Sequence, residues 1–129
     1  MAGGREFMNG TTILVAAKKF YNRMKIKKIA GIRKWEVIEA TSGSEAISKF
    51  KESKASIAIL EVELQGSNGF ETAVLLLQGN PDAKIVLCGT PQEHGKVPPS
   101  LKELPFFEEP VALERLLDTC AQLMRIKMR

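Results

Sequence analysis

The chain has 129 residues, 44% hydrophobic and 26% charged, with nineteen lysines and arginines against fifteen acids for a net charge of +4. That is one domain's length with enough apolar content for a single packed core. No apolar run approaches the roughly 20 residues of a membrane span. Cys88 and Cys120 alone make neither a disulfide framework nor a zinc spacing, which predicts a reducing, cytoplasmic setting.

Residues 1–10 lack the apolar core of a secretory signal and read as a disordered leader or cloning remnant, leaving residues 11–129 as one domain. Thr12 to Ala16 is a short β-branched run of the kind that forms a buried parallel strand. Phe20, Met24, Ile29 and Ile32 then recur at near-helical spacing with Lys25, Lys27, Lys28 and Arg33 between them. The pattern predicts a helix with one core face and one basic face. Trp35 to Ala40 predicts a second strand, and Ser44 to Lys51 a helix burying Ala46, Ile47 and Phe50.

Ile57 to Leu60 predicts a third strand ending at Glu61. A loop over 63–69 leads to a helix carrying Phe70, Ala73, Val74 and Leu77, stopped by Gly79-Asn80-Pro81-Asp82. Ile85 to Cys88 predicts a fourth strand. Three prolines and two glycines between Gly89 and Ser100 make any helix there short or irregular. Pro105 to Glu108 is a weak fifth strand, and Pro110 at a first helical position opens a last helix with Leu113, Leu116, Leu117, Cys120, Leu123 and Met124 inward. The lone His94 has no Cys or second His nearby, which argues against a metal centre or a His-dependent triad and for a solvated loop histidine.

Five strands alternating with helices define an α/β, doubly wound parallel sheet. Ligand chemistry in such a sheet belongs at the carboxyl ends of its strands, here just after Val15, Leu60, Leu87 and Phe107. The residues there, taken in order, are similar to one family. Ile13-Leu14-Val15-Ala16 looks like its first strand, and Val37 to Ala46 like its second strand and the helix opening after it. Ile57-Ala58-Ile59-Leu60-Glu61 followed by Leu64-Gln65-Gly66-Ser67-Asn68-Gly69 resembles its third strand and Leu-Pro-Gly-x-Asp-Gly loop. Ile85 to Gly89 and Glu109-Pro110-Val111 resemble its fourth strand and Lys-Pro-Phe turn. From Thr12 to Lys127 the chain resembles the receiver domain of two-component response regulators, which implies the flavodoxin-like receiver (βα)5 fold with a short or irregular fourth helix.

The resemblance implies a phosphoacceptor site built from two acids, an Asp, a Ser or Thr and a Lys, with Mg²⁺ among the acids. Carried onto this chain, the acidic pair falls on Ala17 and Lys18 (or Ala16 and Ala17 with a one-residue slip), the acceptor on Glu61, the hydroxyl on Cys88 and the lysine on Glu109. Mg²⁺ needs carboxylates plus waters, so loss of its binding and a non-enzymatic, degenerate pseudo-receiver are expected. The exchanged charges suggest that Lys18 bridges Glu61 and Glu109; the bland reading has both ends in water at the sheet rim. Glu61 as a constitutive phosphate mimic is the weaker reading, because a carboxylate has one charge and two oxygens against nearly two charges and three oxygens for a phosphate. Phe106 stands at the family's switch-aromatic position, where an aromatic is also an ordinary core residue.

Eight basic residues fall between Lys18 and Lys34. Lys19, Arg23 and Lys27 are candidates for a surface meeting an acidic protein, and the resemblance implies a histidine kinase, phosphotransfer protein or downstream effector. The last helix offers a surface for a homodimer. Other readings are a receiver phosphorylated by an unusual route, a nucleotide- or flavin-binding protein, and a nucleic-acid module. The second lacks a Gly-rich phosphate loop where Ala16-Ala17-Lys18-Lys19 stands. The third lacks a recognition motif and aromatic interleaving.

Overall fold

The computed structural model describes residues 10–128, so the leader predicted over 1–10 lies, apart from Gly10, outside the described residues. Five parallel strands, β1 (Thr12–Ala16), β2 (Glu36–Ala40), β3 (Ile57–Glu61), β4 (Ile85–Gly89) and β5 (Phe106–Glu108), line up in the order β2-β1-β3-β4-β5. Five helices connect and close them: α1 (Phe20–Ile32), α2 (Gly43–Ser53), α3 (Gly69–Gly79), the single turn α4 (Pro91–His94) and α5 (Leu113–Met128). Among these, no helix is long and apolar enough to cross a membrane.

Both faces of a parallel sheet must be covered, so its strands read as unbroken apolar runs whose side chains alternate between two cores. Ile13, Val15, Ile57, Ile59, Val86 and Cys88 face α1 and α5, where Ile26, Ala30, Trp35, Leu116, Leu117, Cys120 and Met124 meet them. Leu14, Ala16, Ala58, Leu60, Ile85 and Leu87 face α2 and α3, against Ala46, Phe50, Ala73 and Leu76. Ser42, Asn68 and Thr90 accept backbone N–H groups at the starts of α2, α3 and α4, which offsets the free donors there.

Four expectations change. Phe20, Met24 and Ile32 do not form the core face of α1; they are exposed, and the small residue Ala30 with Ile26 packs inward. The loop over 63–69 closes into a minor hairpin pairing Glu63–Leu64 with Ser67–Asn68. Pro110 is not at the first helical position: it follows a cis peptide bond from Glu109, and α5 starts at Leu113. His94 is no loop residue but the last residue of α4, where its ring stacks on Phe106 with centroids 4.3 Å apart and its Nδ1 lies 2.7 Å from Glu108. The described apolar side chains of α5 turn toward the sheet.

Arg33 ties the end of α1 to α5. Its Nη2 donates to Glu114 and Asp118 of α5, each at 2.8 Å, while its guanidinium lies 5.4 Å from the centre of the Trp35 ring. Leu116 is fully buried in the α1/α5 core. Leu116→Ala is expected to lower unfolding stability by about 3 kcal/mol, measured by urea denaturation, through lost burial and the cavity left behind.

Candidate functional site

The carboxyl ends of β1, β3, β4 and β5 converge with the first turns of α1 on a cleft of about 430 Å³. At its floor is Glu61, which closes β3 opposite Cys88 of β4 and is only 7% exposed. Gly69 lets α3 start tight against this strand end, because a Cβ there would run into the Glu61 carbonyl oxygen. The Glu61 carboxylate accepts one hydrogen bond, from Asn22 Nδ2 of α1 at 3.1 Å.

Among the described residues no cation pairs with that buried carboxylate. Burial pushes the Glu61 carboxyl above the ordinary carboxylate range. The Asn22 hydrogen bond pulls it back in part, the charges of Glu109 and Glu63 push it further up, and Lys25 draws it down. Cys88 beside it is 1% exposed, and burial first, with the Glu61 charge second, raises its thiol well above the usual range. The side chain there is a neutral thiol with weak donor power. Thr90, two residues on, brings a hydroxyl to the cleft lining, but its oxygen already caps α4 by accepting from Glu93 N–H at 3.1 Å.

The predicted Lys18 bridge does not form. Among the described residues Lys18 makes no ion pair with Glu61 or Glu109; its Nζ lies 3.8 Å from Glu63, with both side chains half exposed. The cause is backbone direction. Lys18 N–H donates to the Glu63 carbonyl, which anchors the loop over the minor hairpin and away from the cleft floor. An exposed pair of this kind contributes little. Glu109, held at the rim by its N–H on the Gly89 carbonyl, is exposed as well.

The organising cation of this edge is Arg23, one of the three residues assigned to a partner surface. Its side chain is 12% exposed: Nη1 donates to the Ala17 carbonyl at 2.8 Å and the Lys18 carbonyl at 3.3 Å, and Nε donates to Glu39 at 3.0 Å. Lys27, exposed, pairs with the same Glu39 at 3.2 Å. The Arg23 hydrogen bond, ahead of Lys27, holds the Glu39 carboxyl below its ordinary value against the opposing effect of burial. Of the three, Lys19 and Lys27 are exposed and Arg23 is structural.

Asn22, Lys25 and Thr90 are the cleft residues that sequence reasoning missed. Asn22, Lys25 and Ile26 fall on one side of α1 at i, i+3 and i+4, so the signal lay in the helical spacing from the loop, obscured by the larger hydrophobes. Phe106 is half buried and packs against the α2/α3 core with His94 across its outer face. Mg²⁺ wants a near-octahedral oxygen shell built on carboxylates. The loop after β1 supplies Ala17, buried, and Lys18, an ammonium, and the Glu61 carboxylate is engaged by Asn22. These side chains do not fit the ion.

Comparison with known proteins agrees with the fold. The chain is 28% identical to the chemotaxis protein CheY of Listeria monocytogenes over 109 residues, 82% of this chain and 92% of that protein. It is 30% identical to the chemotaxis protein CheY of Thermotoga maritima over 94 residues, 72% of this chain and 78% of that protein. Among solved structures it resembles the response regulator TrrA of Thermotoga maritima in complex with Mg²⁺ and BeF, with a TM-score of 0.78, 25% identity, and 88% of this chain and 98% of that one covered. A response regulator receiver domain protein from Clostridium thermocellum shares the fold at a TM-score of 0.80 and 19% identity, covering 92% and 97%. No family model matches the chain. The chain belongs to the CheY-like response regulator receiver domains of two-component signalling.

Two measurements probe the electrostatics. A raised carboxyl pKa means that the folded state holds its proton more tightly than the unfolded chain. Stability is then fully present below the unfolded value of about 4.3 and falls as pH rises through the Glu61 pKa. Glu61→Gln should therefore raise the thermal midpoint at neutral pH, with the gain shrinking to nothing in acid. Arg23→Met should cost about 2 kcal/mol at neutral pH, because it strands the Ala17 carbonyl and leaves the Glu39 carboxylate only the exposed Lys27. The lowered Glu39 pKa gives stability that is present above its unfolded value and lost as pH falls, so urea midpoints of the two proteins should draw closer in acid, the loss at the Ala17 carbonyl remaining.

Proposed function

We propose that this receiver domain works without phosphoryl transfer, as a non-enzymatic pseudo-receiver that serves two-component or phosphorelay signalling through protein contacts in the cytoplasm. The observation that carries the reading is Glu61: a glutamate at the end of β3, nine-tenths buried, hydrogen-bonded by Asn22, with Ala17 and Lys18 where two acids would be needed. Transfer of a phosphoryl group spreads negative charge that a metal and a basic residue must stabilise. Here the loop after β1 offers Ala17 and Lys18 in place of metal-holding carboxylates, no ion pair reaches Glu61 among the described residues, and Glu109 adds a like charge.

The same facts weigh against Glu61 as a phosphate mimic. Its burial and raised pKa favour the neutral form, and neither Cys88 nor Glu109 can recognise a negative group as a hydroxyl and a lysine would. The domain therefore presents a fixed surface to a histidine kinase, phosphotransfer protein or downstream effector.

The deciding experiment is a ¹⁵N amide titration with Mg²⁺ and beryllofluoride. The expected result is no saturable shift at Asn22, Glu61, Cys88 or Thr90. A saturable shift at these amides, or incorporation of phosphate from a small phosphodonor, would overturn the proposal.

A further inference from the structure

A hollow of about 510 Å³, larger than the strand-end cleft, lies at the opposite edge of the sheet. It opens between the last turns of α2 and α3, where the chain turns back toward the amino ends of β3 and β4. Ile47, Phe50, Ala55 and Leu76 give it an apolar lining, and Leu75 of α3 adds a side chain that is 50% exposed. Among the described residues Leu75 is the one large exposed hydrophobe outside α1.

Two lysines line this hollow and no acid does. Lys51, in the last turn of α2, and Lys54, just past it, are both exposed, and neither makes an ion pair among the described residues. Glu52, the acid between them in sequence, accepts the Ser48 hydroxyl at 3.4 Å instead. A cation near the carboxyl end of a helix is an ordinary feature. Lys54, however, is beyond the helix, at a φ of 55° in the left-handed region where glycine is less strained. Lysine there costs conformational energy and adds a second cationic stem to the apolar lining.

Size and charge together specify the occupant. α2 and α3 share one core through Ala46, Phe50, Ala73 and Leu76. Helices packed in this way run about 8–10 Å apart, so the furrow between them is narrower than another helix, about 10 Å across. A second copy presenting the same face would set its lysines against these. A single hydrocarbon chain fits the furrow, and an anionic head at its end pairs with the two ammonium groups.

We propose that the hollow between α2 and α3 binds a single-chain amphiphile with an anionic head, its hydrocarbon tail against Ile47, Phe50, Leu75 and Leu76 and its head on Lys51 and Lys54. The site is separate from Glu61 and adds a small-molecule ligand to a domain otherwise read through its protein contacts.

The test adds octanoate and decanoate, below their micelle thresholds, to the ¹⁵N-labelled chain, with decanol, decyltrimethylammonium and phosphatidylglycerol vesicles as comparisons. Decanoate should shift the amides of Phe50, Lys54, Leu76 and Gly79 saturably, and affinity should rise about fourfold for each methylene between octanoate and decanoate. Decanol and decyltrimethylammonium should bind at least tenfold more weakly than decanoate. Lys51→Gln with Lys54→Asn should remove that preference without lowering the thermal midpoint, since both side chains are exposed and Asn tolerates the left-handed backbone. A Cβ at Gly79 meets no atom within 4 Å, so Gly79→Phe should fill the hollow and weaken decanoate at least tenfold. Glu61→Gln should leave the affinity unchanged. The proposal is overturned if shifts are absent or lie on α1, where Phe20, Met24 and Ile32 are also exposed. It is equally overturned if the Lys51/Lys54 variant keeps the preference for decanoate, or if vesicles bind the chain more tightly than decanoate does. The beryllofluoride titration is read on Asn22, Glu61, Cys88 and Thr90 at the other edge of the sheet, so either proposal can fail without the other.

Discussion

A parallel sheet has to be covered on both faces, and nearly every feature of this molecule descends from that constraint. It makes the strands of the sheet centre continuous apolar runs and sends Ile57 and Ile59 to one core and Ala58 and Leu60 to the other. It also places every strand's carboxyl end at one edge, where side chains far apart in sequence meet. Asn22 reaches Glu61 across 39 positions and Arg23 reaches Glu39 across 16, because β1 separates β2 from β3 in the sheet and α1 lies over the junction.

At that edge the chain organises the loop after β1 with its own cation. Arg23 gathers the carbonyls of Ala17 and Lys18 and the carboxylate of Glu39 in a partly buried cluster. A guanidinium suits this role because its planar fork keeps several donors in fixed directions at a small cost in conformational freedom. The result is a pinned loop beside an almost unpaired acid. Hydrogen bonding and charge hold Glu39 in its ionised form, while Glu61, two strands away in the sheet, is under pressure to stay neutral.

The strands, their order of appearance and the positions of Glu61, Cys88 and Glu109 at strand ends were legible in the sequence, because buried parallel strands leave compact β-branched runs between turn residues. The short α4 was legible from Pro91, Gly95, Pro98 and Pro99. The inner face of α1 was not. A search for the helical stripe finds the largest hydrophobes, Phe20, Met24 and Ile32, and overlooks Ala30, whose small size is what lets the helix approach the strands. The fate of Lys18 was equally hidden. Position at a strand end says which residues are neighbours, but the direction of a side chain follows from the backbone hydrogen bond to Glu63, set by a two-residue hairpin too short to read. His94 stood out only as an isolated histidine; its stacking on Phe106 depends on Gly89, where a Cβ would crowd both the Phe106 ring and Glu93.

Arg33 follows the first helix of the chain, and both of its ion pairs reach the last one. The loop it closes spans most of the domain, with β1, the second strand of the sheet, inside the same core as Trp35 and Leu117. Release of α5 therefore removes the cover from Trp35 and the anchor of Arg33 together, and loosening of α1 exposes the inner side of α5. The first and last helices are a single cooperative unit, so the domain should open by dissolving that seam as a whole.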